Sequence, residues 1–363
     1  MLYIGTLSGT SMDAIDCVLA DFQGHTINTL AYQQYPIPEN IEQQLKSITP
    51  GCSVAEYAEL DAIMGNLFAE AVRNFLQENS TSPEKITAIG SHGQTILHQP
   101  ESVNPVSLQI GDPNIIACCT GIKTVADFRR MDMAAGGQGA PLAPAFHQFV
   151  LQDASEDRAI VNIGGMANIT FLPAKNSSMH IFGYDTGPGN VLLDGWIRLH
   201  QGSRFDKDGC WASSGKKIPE LLQNLLDDPY FKLPPPKSTG REYFNPGWLQ
   251  KYLEQNDNAF ENQDIQSTLL ELTAITIAEA IKETPASVVL ICGGGVHNPV
   301  LMKHISLLVP DRKVKSTADL GLNPDAIEAL LFAWLAKCKL ENTVLDLQHI
   351  TGSHLKQTLG ALY

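Results

Sequence analysis

A short apolar stretch, a turn dense in glycine and small hydroxyl residues, and a second apolar stretch occur twice in this chain. That repeat limits the fold more than any other feature. The first copy runs Leu2-Tyr3-Ile4, turns over residues 5–12, and resumes over residues 14–19. The second begins roughly 160 residues later with Arg158-Ala159-Ile160-Val161-Asn162-Ile163, turns through Gly164-Gly165-Met166-Ala167-Asn168, and continues as Ile169-Thr170-Phe171-Leu172. Glycine in such turns lets a ligand approach the backbone. Two similar hairpins in 363 residues predict two related α/β domains, in line with about 150 residues per domain.

Helices are expected in the intervals. Residues 54–76 carry Leu60, Ile63, Met64, Leu67, Phe68, Ala71 and Phe75 at helical spacing, and residues 267–281 carry Leu269, Leu272, Ile275, Ile277 and Ala280. A third helix is expected over residues 324–337, with Asn323 as N-cap, Pro324 at its first position and Asp325 and Glu328 in its first turn. Further strands are expected over residues 86–89, 106–110 and 288–292. Alternating strands and helices predict mixed sheets. Residues 233–247, with three consecutive prolines, read as an insertion.

The formal charge of −14 argues against a general nucleic-acid or anionic-membrane surface, which needs basic patches. It leaves a nucleotide pocket open, because backbone N–H groups and a metal ion can hold phosphates. Without a run of about 18 apolar residues no transmembrane helix is expected, and without a basic, apolar leader no signal peptide. Seven cysteines with no C-x-x-C fit scattered buried thiols in a reducing cytosol better than a disulfide framework or a zinc site.

Four groups of residues can carry chemistry. Ser8-Gly9-Thr10-Ser11-Met12-Asp13-Ala14-Ile15-Asp16 can offer N–H and hydroxyl groups to phosphate, with Asp13 or Asp16 orienting hydrated Mg²⁺; it reads equally as an Asx/Ser-Thr turn. Gly183-Tyr184-Asp185-Thr186-Gly187-Pro188-Gly189-Asn190 does not suit a core strand. There Asp185 is a candidate general base or metal-orienting group at a helix N-terminus, the alternative being a Gly-Pro turn with a capping Asp. Cys292-Gly293-Gly294-Gly295-Val296-His297-Asn298-Pro299 is a strand-to-helix connection a ligand can lie against, or merely a flexible one. His297 fits capping or packing.

The fourth group combines Ser91-His92-Gly93-Gln94-Thr95, Gln109-Ile110-Gly111-Asp112-Pro113, Ala126-Asp127-Phe128-Arg129-Arg130-Met131-Asp132 and Gly136-Gly137-Gln138-Gly139-Ala140-Pro141-Leu142. Arg129 and Arg130 can clamp a carboxylate ligand, or form an internal salt-bridge cluster with Asp127 and Asp132. His92 and His98 are spaced poorly for zinc.

The order of these motifs resembles the anhydro-N-acetylmuramic acid kinase family of bacterial sugar kinases. The likeness rests on Gly9-Thr10-Ser11-Met12-Asp13, Ser91-His92-Gly93-Gln94-Thr95, Val125-Ala126-Asp127-Phe128-Arg129, Gly136 to Leu142, Asn162 to Asn168, Asp185 to Asn190 and Cys292 to Gly295. Lys237-Ser238-Thr239-Gly240-Arg241-Glu242 and Asn323 to Ala329 also fit, whereas Ser353-His354-Leu355 departs from the family pattern.

The resemblance implies an actin-like sugar-kinase (ribonuclease H-like) fold. Domain I would be residues 1–130 plus about 345–363, and domain II residues 131–344, flanking a cleft. ATP would meet Gly9, Thr10, Ser11, Met12, Asp13, Ala14, Ile15, Asp16, Gly164, Gly165 and Gly187, with Gly293, Gly294 and Gly295 near adenosine and Mg²⁺ at Asp13 or Asp16. Asp185 would be the catalytic base. Glu328, Asp127, Arg129, Arg130 and Gln138 would be sugar-side residues, the arginines serving the lactyl carboxylate on charge grounds. The implied reaction opens a 1,6-anhydro bond with water while O6 takes the γ-phosphoryl group of ATP. A cytoplasmic homodimer with no nucleic-acid or membrane partner completes the expectation. Rivals are another kinase of the superfamily, a non-catalytic actin-like or chaperone module, and a metal-dependent hydrolase.

Overall fold

The computed structural model describes residues 1–24, 26–48, 51–255 and 260–363. Its strands are β1 (Leu2–Ser8), β2 (Ala14–Gln23), β3 (Thr26–Pro36), β4 (Ile86–Gln99), β5 (Val106–Ile110), β6 (Thr124–Ala126), β7 (Arg158–Ile163), β8 (Met166–Leu172), β9 (Phe182–Pro188), β10 (Val288–Cys292), β11 (Lys313–Ser316) and β12 (Ala361–Leu362). The chain forms two compact units, Met1–Val150 with Ala326–Tyr363, and Leu151–Asp325.

In unit 1 the sheet order is β12-β6-β4-β1-β2-β3, with β5 paired to β4. β1, β2 and β3 form an antiparallel meander, and β4 and β6 continue the sheet in parallel. The helix Val54–Glu78 starts at a capping box, in which Ser53 accepts from Glu56 N–H and Glu56 accepts from Ser53 N–H. It buries Leu60, Met64, Phe68, Val72 and Phe75 in a core shared with Ile4, Ile15, Cys17 and Leu19. The helix Ile327–Leu340 lies directly on the sheet. A Cβ at Gly5 would sit 1.8 Å from Ala329 O, and one at Gly90 1.9 Å from Phe332 O. Gly5 and Gly90 face each other across β1 and β4, so the helix seats on a glycine pair.

Unit 2 repeats the plan in the order β11-β10-β7-β8-β9. β7, β8 and β9 form the meander, while β10 and β11 run parallel to β7. The helix Asn262–Lys282 is buried along most of its length against this sheet. The expected pair of related α/β domains, each with a mixed sheet, is therefore present.

Several expected boundaries differ. Residues 131–150 and the helix Ile327–Leu340 belong to unit 1, because that helix packs on β1 and β4. The third helix begins at Ile327 rather than Pro324; Asn323 accepts from Asp325 N–H at 3.0 Å, closing a turn before the helix. Residues 166–168 continue β8, since Asn162 pairs with Asn168 and leaves only Gly164 and Gly165 for the turn. Asp185 lies inside β9, because its backbone pairs with Asn168. Other helices and strands extend past their expected ends, most notably β4, whose polar stretch Gln94 to Gln99 is recruited by pairing with β5. Among the described residues no helix is long and apolar enough to cross a membrane.

Candidate functional site

The first hairpin turn leaves β1 at Ser8, whose hydroxyl donates to Gln94 Oε1 at 2.7 Å. Gly9 is half-buried, Thr10 and Ser11 are exposed, and Met12, at φ 58°, closes the turn by donating to Gly9 O at 3.1 Å. Ala14, Ile15 and Asp16 already belong to β2, and the Ile15 side chain is in the core. Asp16 Oδ1 accepts from Tyr32 OH and from Gln34 Nε2 of β3. Asp13 stays in the turn and passes its carbonyl to Ile37 N–H at 2.9 Å. Among the described residues no three metal-ligating side chains gather. A single turn carboxylate such as Asp13 is the kind of donor that Mg²⁺ takes beside substrate phosphates.

The sugar-side candidates of unit 1 divide. After β6, Asp127 adopts a left-handed conformation (φ 61°) and opens the helix Phe128–Ala134. Arg130 points to solvent and pairs with Asp127 Oδ1 at 2.7 Å. Arg129 turns inward instead, donating to Gly139 O at 2.9 Å and lying 3.2 Å from His92 Nε2. The two arginines therefore do not form one clamp. Burial brings the Arg129 guanidinium down to about 10, with Glu328 and Asp132 opposing. Burial, with Arg129 and His98 adding to it, pushes His92 well below the ordinary imidazole range, so it is neutral.

The loop carrying Gln138 is organised by hydrogen bonds from Asp132 and the C-terminal segment, not by the salt-bridge cluster that the sequence offered as one reading of Asp132. Buried Asp132 accepts from Gly139 N–H at 2.7 Å and from Thr351 hydroxyl at 2.8 Å. Gln138 N–H donates to Thr351 O at 2.8 Å, and the His354 ring covers Gly136. Gln138 itself is exposed and donates to Glu101. Glu328, in the first turn of its helix, is exposed and acts on Arg129 through its charge.

In unit 2 one row crosses the sheet: Cys292 pairs with Asn162, Asn162 with Asn168, and Asn168 with Asp185. Gly164 and Gly165 follow β7 and the Gly293 turn follows β10, so both glycine turns lie beside this row at the carboxyl ends of parallel strands. Ligands favour that edge in open α/β sheets. Gly293, at φ +78°, leaves no room for a Cβ, which would sit 2.3 Å from Asn162 Oδ1. His297 pairs with Asp325 at 2.8 Å. The N–H groups of Gly189, Asn190 and Val191, at the start of the helix Val191–Gln201, are given to Gly164 and Gly165 carbonyls. Those donors clamp the hairpin turn and do not face an anion. Gly187 is explained by packing: a Cβ there would sit 2.7 Å from the Phe231 ring.

Asp185 is held from two sides. Its N–H donates to Lys237 O at 3.0 Å, and its carbonyl accepts Tyr230 OH at 2.6 Å. Its Oδ2 accepts Thr239 N–H at 2.9 Å. Residues 233–247 thus fold back along β9. They are anchored by Asp228, which accepts from Tyr230 N–H, Tyr243 OH, Trp248 Nε1 and Tyr252 OH. Burial raises the Asp185 carboxyl to about 6; Thr239 N–H opposes this and the Glu242 charge adds to it. A carboxylate with that affinity is ionised at neutral pH yet basic enough to accept a proton. Sequence reasoning missed Tyr230 and Asp228. Their only signal was the aromatic density of residues 230–252, which reads as core.

Comparison with known proteins gives a consistent result. The family model for anhydro-N-acetylmuramic acid kinase matches residues 1–363. The chain is 48% identical over 365 residues to the anhydro-N-acetylmuramic acid kinase of Coxiella burnetii, covering 99% of this chain and 97% of that one. It is 46% identical over 368 residues to the enzyme of the same name from Pasteurella multocida, covering 100% and 97%. Among solved structures, the activator of 2-hydroxyisocaproyl-CoA dehydratase from Clostridium difficile with bound ADPNP aligns at TM-score 0.46 and 11% identity, covering 95% of this chain and all of that one.

Proposed function

The chain belongs to the anhydro-N-acetylmuramic acid kinase family and is a kinase, and from that premise we propose a coupled hydrolysis and phosphorylation. Water attacks the anomeric carbon of 1,6-anhydro-N-acetylmuramic acid and passes a proton to Asp185. The anhydro C1–O6 bond breaks, and O6 forms a bond to the γ-phosphorus of ATP as ADP leaves. The products are N-acetylmuramic acid 6-phosphate and ADP.

The observation that carries this reading is the state of Asp185: fixed through backbone and side chain, with its carboxyl raised to about 6. An ordinary kinase base needs only to take a hydroxyl proton. Here the base must generate a nucleophile from water, which favours a stronger base. Arg129, half-buried and inward, is the residue for the lactyl carboxylate. Arg130, exposed and paired, is not. Gly9, Thr10, Ser11 and Asp13 face the phosphates, with Gly293, Gly294 and Gly295 on the adenosine side. Mg²⁺, when bound with the nucleotide, neutralises developing phosphate charge; Asp13 would orient it, because Asp16 is already shared with Tyr32 and Gln34. Family membership supports reading the protein as a cytoplasmic homodimer that returns cell-wall sugar to amino-sugar metabolism.

A coupled ADP-release assay with Mg-ATP and the anhydro sugar, with product mass recorded, tests the reading. A gain of one water plus one phosphoryl unit is expected. A gain of the phosphoryl unit alone would mean an ordinary kinase and a wrong role for Asp185.

A further inference from the structure

A guanidinium carries five N–H donors in a fixed fork. In unit 1, Arg129 directs one donor to Gly139 O and another towards His92. Its Nε is buried with no hydrogen-bond partner among the described residues. Asp132, one of the two acidic groups acting on it, has both oxygens engaged by Gly139 N–H and Thr351 hydroxyl. The fork is thus sequestered and under-satisfied, a state that is costly unless an acceptor arrives.

His92 stands in hydrogen-bonding reach of that fork. The residue is 8% exposed, and its ring stacks on Phe332 at 4.3 Å with an interplanar angle of 8°. Thr95 Oγ1 stands 3.4 Å from the same Nε2. Since guanidinium only donates, Nε2 must be the acceptor, which puts the ring proton on Nδ1. Phe332 belongs to the helix seated on the Gly5–Gly90 pair, so the imidazole is held by rigid elements.

We infer that His92 is a positioning residue that aims Arg129 as a receptor for a substrate carboxylate, and so makes the unit 1 site select an acidic sugar over its neutral counterpart. A neutral acceptor turns the fork without cancelling its charge, whereas a carboxylate at that place would fill the receptor itself. The inference rests on the functional reading above, and its test separates the two.

Wild type, His92→Phe, His92→Asn and His92→Gln are compared on 1,6-anhydro-N-acetylmuramic acid and on its lactyl amide, with KM and kcat read separately. Phe keeps the stacking surface without the acceptor, and Asn is too short to reach. Both should raise KM for the acid about tenfold or more, as expected for losing a hydrogen bond to a charged group, with a several-fold smaller change for the amide. Gln, which restores an acceptor, should recover most of the loss. Should Phe not fold, Asn against Gln carries the comparison. Equal KM changes on both sugars, a loss confined to kcat, or no change would overturn the role of His92 while leaving the kinase reading intact. A wild type that phosphorylates neither sugar would overturn the functional reading, and this inference with it.

Discussion

The two units build the same five-strand plan and use it differently. At the equivalent central position unit 1 places Gly5 opposite Gly90, whereas unit 2 places Ile160 opposite Leu290. The glycine pair lets the helix Ile327–Leu340 touch the strands; the aliphatic pair fills the same layer with its own side chains. The turns differ as well. In unit 1, Thr10 and Ser11 are exposed and the turn is closed by one backbone hydrogen bond. In unit 2, Gly164 and Gly165 are clamped by three N–H groups. One topology thus supports an adaptable turn and a rigid one, and side-chain volume at a single register decides how closely a helix approaches.

The sharpest test of this division of labour is Asp185→Asn. If unit 2 supplies the base, kcat should fall about 10²–10⁴-fold with circular dichroism and nucleotide binding retained; activity within a few-fold of wild type would return the base to another residue. The acid limb of the wild-type kcat/KM profile should bend near pH 6, where burial places this carboxyl. The stability consequence has a definite sign. The folded value lies above the roughly 3.9 of an unfolded Asp, so the stability that this group contributes is present below about pH 4 and lost as pH rises through 6. Asp185→Asn should therefore melt above wild type at pH 7.5, with the gap closing by pH 4.

The glycine pair is tested by Gly5→Val against Ile160→Val. The first drives side-chain atoms into Ala329 O and should cost 3 kcal/mol or more, on the order of severe core overpacking. The second removes one methylene and should cost about 1 kcal/mol. Similar denaturation midpoints would mean that the helix does not depend on that seat.

Asp228→Ala comes next. It strands four donors in unit 2 and should cost roughly 2–3 kcal/mol, with kcat falling more than KM changes because the Lys237 and Thr239 contacts to Asp185 loosen; unchanged kcat in a destabilised variant would separate the anchor from catalysis. The smallest effect belongs to Arg130→Ala in unit 1. The exposed pair with Asp127 should be worth well under 1 kcal/mol, with KM for the sugar nearly unchanged. A large KM increase would restore the two-arginine clamp.

Local chemistry made much of this protein legible in its sequence. The alternation and glycine turns of both hairpins, the 3.6-residue spacing of the helix Val54–Glu78, and a carboxylate among glycines at Asp185 all depend on neighbours within a few residues, so composition and period reveal them. Other features depend on partners far along the chain. The glycine pair has meaning only once Ala329 and Phe332 arrive. Asp185 becomes part of a strand only through Asn168, and its carboxyl is raised only by burial within the folded unit, against the Thr239 N–H. Arg129 and Arg130 are adjacent letters with the same charge, yet the turn at Asp127 sends one inward to His92 and the other to water. Burial and long-range hydrogen bonding set that outcome, and neither can be read from the spacing of residues along the chain.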